Sequence, residues 1–224
     1  LDGDVDMSIQ DPPGYLAAPA SGDGPGVLVL HAWWGLNDTI KGFCDRLAGS
    51  GFLAFALDLY HGETADTIAG AEALGRALDR NHLQAEAEVA AGAAFLDDRV
   101  GDGRAGLAVI GFSLGAYYAL HLASADPERI RCVVLFYGTG PADHSSSRAS
   151  YLGHFAEDDQ FESADEVSAL EQSLRAAGRS VTFHHYPGTG HWFFEPDRAD
   201  AYEPAAAGLA WQRTASFLEE CLRR

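Results

Sequence analysis

The stretch Gly106-Leu-Ala-Val-Ile-Gly-Phe-Ser113-Leu-Gly115 runs into Ala-Tyr-Tyr-Ala-Leu-His-Leu-Ala and reads as strand, sharp turn, helix. Gly111 and Gly115 flank the serine and remove the Cβ atoms that would collide where a strand folds straight back into a helix. The pattern is the G-x-S-x-G nucleophile elbow. Such a turn lifts the serine oxygen clear of a sheet and places the new helix's unpaired N–H groups where an oxyanion would form. The same residues also serve as simple punctuation between a strand and a helix. The remainder of the chain has to supply the partners of a reactive serine.

On the N-terminal side of the elbow, Gly26-Val-Leu-Val-Leu30 and Phe52-Leu-Ala-Phe-Ala-Leu57 are continuous apolar runs, as expected of parallel strands buried on both faces. Between them Ile40, Phe43, Cys44, Leu47 and Ala48 have helical spacing, with Asn37 or Asp38 as N-cap and Gly49-Ser-Gly51 as the stop. Thr64 to Val100 is rich in Ala, Leu and Glu and predicts two helices separated near Asp79–Asn81. On the other side, Ile130–Tyr137, Tyr151–Ala156 and Val181–Tyr186 read as strands. Ser163 is placed to cap a helix over Ala164–Ala177, and a last helix is expected from about Glu203 to Leu222, with Leu209, Trp211, Phe217 and Leu218 on its apolar face. The first 26 residues, with an alternating segment around Val5–Ile9, predict an edge hairpin. Strands alternating with helices give the fold class: α/β, a doubly wound and mostly parallel sheet with helices on both faces, in one domain spanning 1–224.

Composition narrows the function classes. With 33 acidic against 15 basic residues the formal net charge is −18, which opposes phosphate backbones and anionic membrane surfaces. No nucleic-acid or membrane partner is expected. Cys44, Cys132 and Cys221 are odd in number, widely spaced and without a C-x-x-C, which argues against a disulfide framework or a zinc site and favours a reducing compartment. No apolar run approaches a membrane span, and Leu1-Asp-Gly-Asp-Val-Asp has neither a basic nor an apolar leader segment. A cytoplasmic location is the resulting expectation.

In an open parallel sheet, ligands sit outside the carboxyl ends of the strands. The residues just past those ends include Trp33, Asp58, Ser113, Tyr137, Asp159 and His191. A serine hydroxyl stays protonated at neutral pH and needs an imidazole base, which in turn needs a carboxylate to fix its tautomer and stabilise its cation. His191 follows Pro-Gly-Thr-Gly on the loop after the last strand, whereas His184 and His185 lie inside that strand. For the carboxylate, Glu157, Asp158 and Asp159 are alternatives; Asp58 reads as a loop stabiliser or helix cap. The order Ser…Asp…His is that of an α/β-hydrolase triad. The oxyanion donors expected are the backbone N–H groups of Leu114 and Trp33. Trp34, Tyr137, Trp192 and Phe193 are candidates for a partly aromatic pocket wall. The histidines show no H-E-x-x-H and no compact metal-ligand spacing, so neither a metal nor another cofactor is expected.

Taken together, His31-Ala-Trp-Trp-Gly-Leu-Asn, Phe52 through Asp58-Leu-Tyr, Gly111-Phe-Ser-Leu-Gly115, Gly153-His-Phe-Ala-Glu-Asp-Asp159, Tyr186-Pro-Gly-Thr-Gly-His191, Tyr202 and Ala-Trp211-Gln-Arg-Thr resemble the dienelactone hydrolase family. The resemblance implies hydrolysis of ester or lactone bonds and aligns the family's acid with Asp159. It also exposes departures. Family members that open dienelactones carry a cysteine at the position of Ser113, and a glutamate that manages its protonation at the position of Ala32. An arginine that would bind a substrate carboxylate is matched by Glu195, leaving Arg80 and Arg198 as possible substitutes. The expected function is therefore a cofactor-free serine hydrolase of small carboxylic esters or lactones, working through an acyl-enzyme, with neutral esters preferred over carboxylated ones. A thioesterase or a small serine peptidase would use the same parts, and a non-catalytic ligand-binding protein would show a broken triad.

Overall fold

The computed structural model of the protein describes residues 11–100 and 106–222. Seven strands form one sheet: β1 (Gly14–Ala17), β2 (Gly26–Leu30), β3 (Leu53–Leu57), β4 (Leu107–Phe112), β5 (Ile130–Phe136), β6 (Ser150–Ala156) and β7 (Val181–Tyr186). Their order across the sheet is β1-β3-β2-β4-β5-β6-β7. β1 pairs antiparallel with β3, in the register Gly14 to Leu57, and the other five pairings are parallel. The sequence leads to an edge strand at β1; the other half of the expected hairpin, Val5–Ile9, lies outside the described residues.

The helices are α1 (Asp38–Gly49), α2 (Ile68–Arg80), α3 (His82–Val100), α4 (Leu114–Ala125), α5 (Ala164–Ala176) and α6 (Pro204–Leu222). Their starts follow local chemistry. Asn37 accepts from Ile40 N–H, Thr67 accepts from Gly70 N–H, and Ser163 and Glu166 form a reciprocal capping box that satisfies two otherwise orphaned donors.

Side-chain alternation along the strands splits the core into two layers. Val27, Val29, Ile110 and Val134 point to one face, where α1 and α6 cover them through Phe43, Leu47, Trp211 and Leu218. Leu28, Leu30, Val109 and Val133 point to the other, where α3, α4 and α5 supply Val89, Leu96, Tyr118, Leu120 and Leu170. The result is an α/β fold with a mixed, mostly parallel sheet and helices on both faces. On α6, Trp211 and Leu218 are buried as the periodicity predicts, whereas Leu209 is exposed and Phe217 only partly covered. The buried stripe runs through Ala207, Ala210, Trp211, Thr214 and Leu218, in which the small Ala207, Ala210 and Thr214 take the places beside the two large side chains.

The cysteine expectation is corrected. Cys132 of β5 and Cys221 near the end of α6 are joined by a disulfide, and only Cys44 is free, buried inside α1. Sequence spacing is blind to this pair because the partners are 89 residues apart and meet only when α6 packs across β5. The reducing compartment, and the cytoplasmic location drawn from it, rested on unpaired cysteines and lose that support. Among the described residues no helix is long and apolar enough to cross a membrane.

Candidate active site

β2 connects to β3 on one side of itself and is flanked by β4 on the other, so the chain direction switches between β2 and β4. The loops leaving those two strands therefore diverge and open a crevice. One is His31–Asn37; the other is the turn at Ser113.

That turn is tight. Ser113 has φ 48° and ψ −112°, a strained conformation for a residue with a side chain. A Cβ on Gly115 would lie 2.3 Å from the carbonyl oxygen of Leu30, and one on Gly111 would lie 2.4 Å from that of Gly115. Only glycine lets α4 start this close to β2 and β4. Ser113 N–H donates to Phe136 O, and Ala116 N–H to Ser113 O, which secures the turn from both sides.

His191 is buried on the loop after β7, and its two ring nitrogens have separate partners. Nε2 lies 2.9 Å from Ser113 Oγ, and Nδ1 lies 2.8 Å from each carboxylate oxygen of Asp159. Asp159 Oδ1 also accepts from the backbone N–H groups of Phe161 and Glu162. Nδ1 beside a carboxylate carries the proton, which leaves Nε2 as acceptor for the serine hydroxyl. Of the three acidic residues after β6, Glu157 is turned away to accept from Gly188 N–H, and Asp158 holds the loop through its own N–H to Thr189 O. Asp58 accepts from Tyr60 and Gly62 N–H groups and so stabilises its loop. His31, fully buried, bridges the ends of β2 and β3: its Nε2 accepts from Leu59 N–H, so Nδ1 is the donor to Ala32 O.

A cavity of about 330 Å³ adjoins Ser113 and His191. Trp33 lines it from the loop after β2, Leu114 and Tyr117 from the start of α4, and Thr139, Phe161 and Glu162 from the loops after β5 and β6. Phe161 packs 5.0 Å from the His191 ring and edge-on to Trp33. Thr139 Oγ1 donates to Glu162 Oε2 at 2.6 Å. Burial raises the Glu162 carboxyl pKa, opposed by its hydrogen bonds with Thr139 and the nearby His191.

The residues read from sequence as pocket wall lie elsewhere. Tyr137 has φ 37°, which turns its ring inward, and it is fully buried behind His191 at 5.0 Å. Its hydroxyl donates to Glu195 Oε1 at 2.7 Å. Glu195 is itself completely buried, and burial pushes its carboxyl up to about 8. Phe193 packs on Tyr137 and Tyr186, and Trp34 is buried against Trp192 with the Arg198 guanidinium 3.9 Å above its ring. Trp192 is partly buried, in contact with His191 and Phe161 but outside the lining. Arg198 pairs with Asp197, and Arg80 is exposed at the end of α2, so neither reaches the cavity. The wall is thus made by Trp33, Tyr117 and Phe161. Tyr117 sits one turn into α4 and Phe161 two residues past Asp159, both one step beyond the strand ends where a census by sequence stops. Among the described residues no group of three or more His, Cys, Asp or Glu side chains is placed to hold a metal.

Comparison with known proteins agrees with this frame. The chain is 34% identical over 216 residues to the protein usf of Aquifex pyrophilus, covering 93% of each. It is 31% identical over 222 residues, 91% of this chain and 87% of the relative, to a Bradyrhizobium protein described as "Probable 2-oxo-3-(5-oxofuran-2-ylidene)propanoate lactonase". A solved dienelactone hydrolase-like promiscuous phosphotriesterase from metagenomic libraries superposes with a TM-score of 0.81 over 89% of this chain and 87% of that one; at 23% identity it supports the fold. Residues 13–222 match the model of the dienelactone hydrolase family, so the chain is a hydrolase of that family, built on the α/β-hydrolase fold.

Proposed function

We propose that the protein is a serine hydrolase of small carboxylic esters or lactones. The observation that carries this reading is the unbroken line from Ser113 Oγ through His191 to Asp159, with each step between 2.8 and 2.9 Å. Ser113 Oγ attacks the carbonyl carbon while His191 Nε2 takes its proton. The tetrahedral oxyanion is held by the N–H groups of Leu114 and Trp33, two residues that line the same cavity. Collapse breaks the bond to the alcohol oxygen, which receives the proton back from His191 and leaves an acyl-Ser113. Water, activated by the same imidazole, then adds to the acyl carbon, and the acid departs as Ser113 recovers its proton. Asp159 balances the charge of the imidazolium in both halves.

The lactonase description of the Bradyrhizobium relative supports including lactones among the substrates. Serine in place of the cysteine expected of a dienelactone-opening enzyme fits Ala32, since a hydroxyl needs no partner that manages a thiolate. The test is turnover of a short activated ester by wild type and Ser113→Ala, with fluorophosphonate labelling read by mass spectrometry. Loss of both turnover and label in the variant is expected; wild-type turnover by the alanine variant would overturn the assignment.

A further inference from the structure

Every described Lys and Arg lies outside the cavity beside Ser113, and its lining carries one carboxylate, Glu162. That carboxylate is not loose. Thr139 Oγ1 donates to Oε2, and the Glu162 backbone N–H donates to Asp159, so the loop bearing it is fixed to the same carboxylate that holds His191. The same cavity is lined by three aromatic residues, Trp33, Tyr117 and Phe161, of which Trp33 and Phe161 meet edge to face at 5.7 Å. Trp33 is itself backed by α2, where a Cβ at Gly75 would lie only 3.2 Å from its Nε1.

A carboxylate and aromatic rings lining one cavity are a recognition chemistry for organic cations. The ring quadrupoles attract an alkylammonium group, and the carboxylate supplies full countercharge. The same charge repels a substrate carboxylate, and no Lys or Arg lines the cavity to offset it; the one imidazole there, His191, is held against Asp159. The protein's net charge of −18 acts in the same direction at longer range.

We propose that this cavity selects carboxylic esters or lactones that carry an alkylammonium group, with Glu162 as the countercharge and Trp33, Tyr117 and Phe161 as the walls. The proposal rests on Ser113 being the nucleophile. For a cation about 5 Å from a half-buried carboxylate, the expected bias over a neutral substrate of the same shape is roughly tenfold.

The experiment compares a choline ester with its neohexyl ester, in which carbon replaces the quaternary nitrogen, and with a carboxylated ester of similar size. In wild type at neutral pH and low salt, kcat/KM should favour choline over neohexyl by about tenfold, with the carboxylated ester slowest. In Glu162→Gln, which keeps an acceptor for Thr139, the choline-to-neohexyl ratio should fall to near one; in Glu162→Lys the order of choline and carboxylated esters should reverse. A wild-type ratio near one, or a ratio unchanged in Glu162→Gln, overturns the proposal. Hydrolysis that survives in Ser113→Ala, or no hydrolysis at all, overturns the serine reading instead. Calorimetric titration of both esters into Ser113→Ala then decides the cation preference separately: tighter choline binding upholds it, and equal binding ends it.

Discussion

Asp159 meets His191 Nδ1 with both carboxylate oxygens at 2.8 Å, and one of those oxygens simultaneously receives the Phe161 and Glu162 amides. The same side chain thus orients the base and fastens the loop that forms one wall of the cavity. These two tasks separate under mutation. Asp159→Asn keeps an oxygen for the two amides but removes the charge that balances the imidazolium, so kcat should fall by about three to four orders of magnitude with KM nearly unchanged. Asp159→Ala should lose as much kcat and also raise KM several-fold as Phe161 and Glu162 loosen. Steady-state kinetics on both variants checks this; equal KM values in the two would show that the amide contacts do not shape the cavity.

The elbow gives a paired prediction about glycine. Gly115→Ala places a Cβ against the carbonyl oxygens of Leu30 and His31, at 2.3 and 2.8 Å, and both belong to backbone that cannot retreat without parting β2 from α4. A loss of about 3 kcal/mol in urea denaturation is expected, together with loss of turnover. Gly42 is the opposite case. It is exposed within α1, a Cβ there meets nothing within 4 Å, and Gly42→Ala should stabilise by about 0.5–1 kcal/mol.

Much of this was legible in the chain because its signals are local. The buried strands announce themselves as apolar runs, Ser163 and Asn37 announce helix starts, and Ser113 and His191 are set apart by their glycine-rich turns. What escaped depends on three-dimensional closure. The φ of Tyr137 decides that its ring faces inward, and nothing in the sequence around it specifies that angle. Glu162 and Tyr117 reach the cavity from a loop and a helix that meet only through the switch in strand order. Leu209 fits a helical stripe yet faces out, since the stripe that packs is set by small residues one position along.

The Cys132–Cys221 bond ties α6 back to β5 across 89 residues. Closing a loop of that length limits the unfolded chain and stabilises the fold by about 2–4 kcal/mol. Thermal melts with and without a strong reductant should therefore differ by roughly 5–15 °C, and Cys221→Ser should match the reduced protein. Cys132 lies near the start of β5, away from the strand ends that carry the site, so turnover at room temperature should persist after reduction. Identical melts would mean that the bond adds nothing to stability.

Glu195 leads to a prediction about pH. Burial pushes its carboxyl from an ordinary 4.5 up to about 8, with Tyr137 donating to one oxygen and no partner on the other. Between those values the native protein keeps a proton that the unfolded chain has released, so stability falls as pH rises. By pH 7 the accumulated cost is about 3 kcal/mol. Glu195→Gln removes this titration and leaves an acceptor for Tyr137. Its second amide donor has no better partner than the carboxyl had, so the slope, and not the absolute stability, is the readout. His154, whose pKa burial drives well below the ordinary range, contributes an opposite slope on the acid side, common to both proteins. The urea midpoint of the variant relative to that of wild type should therefore rise steadily from pH 5 to 8. Parallel lines across that window would mean that Glu195 does not hold its proton in the fold.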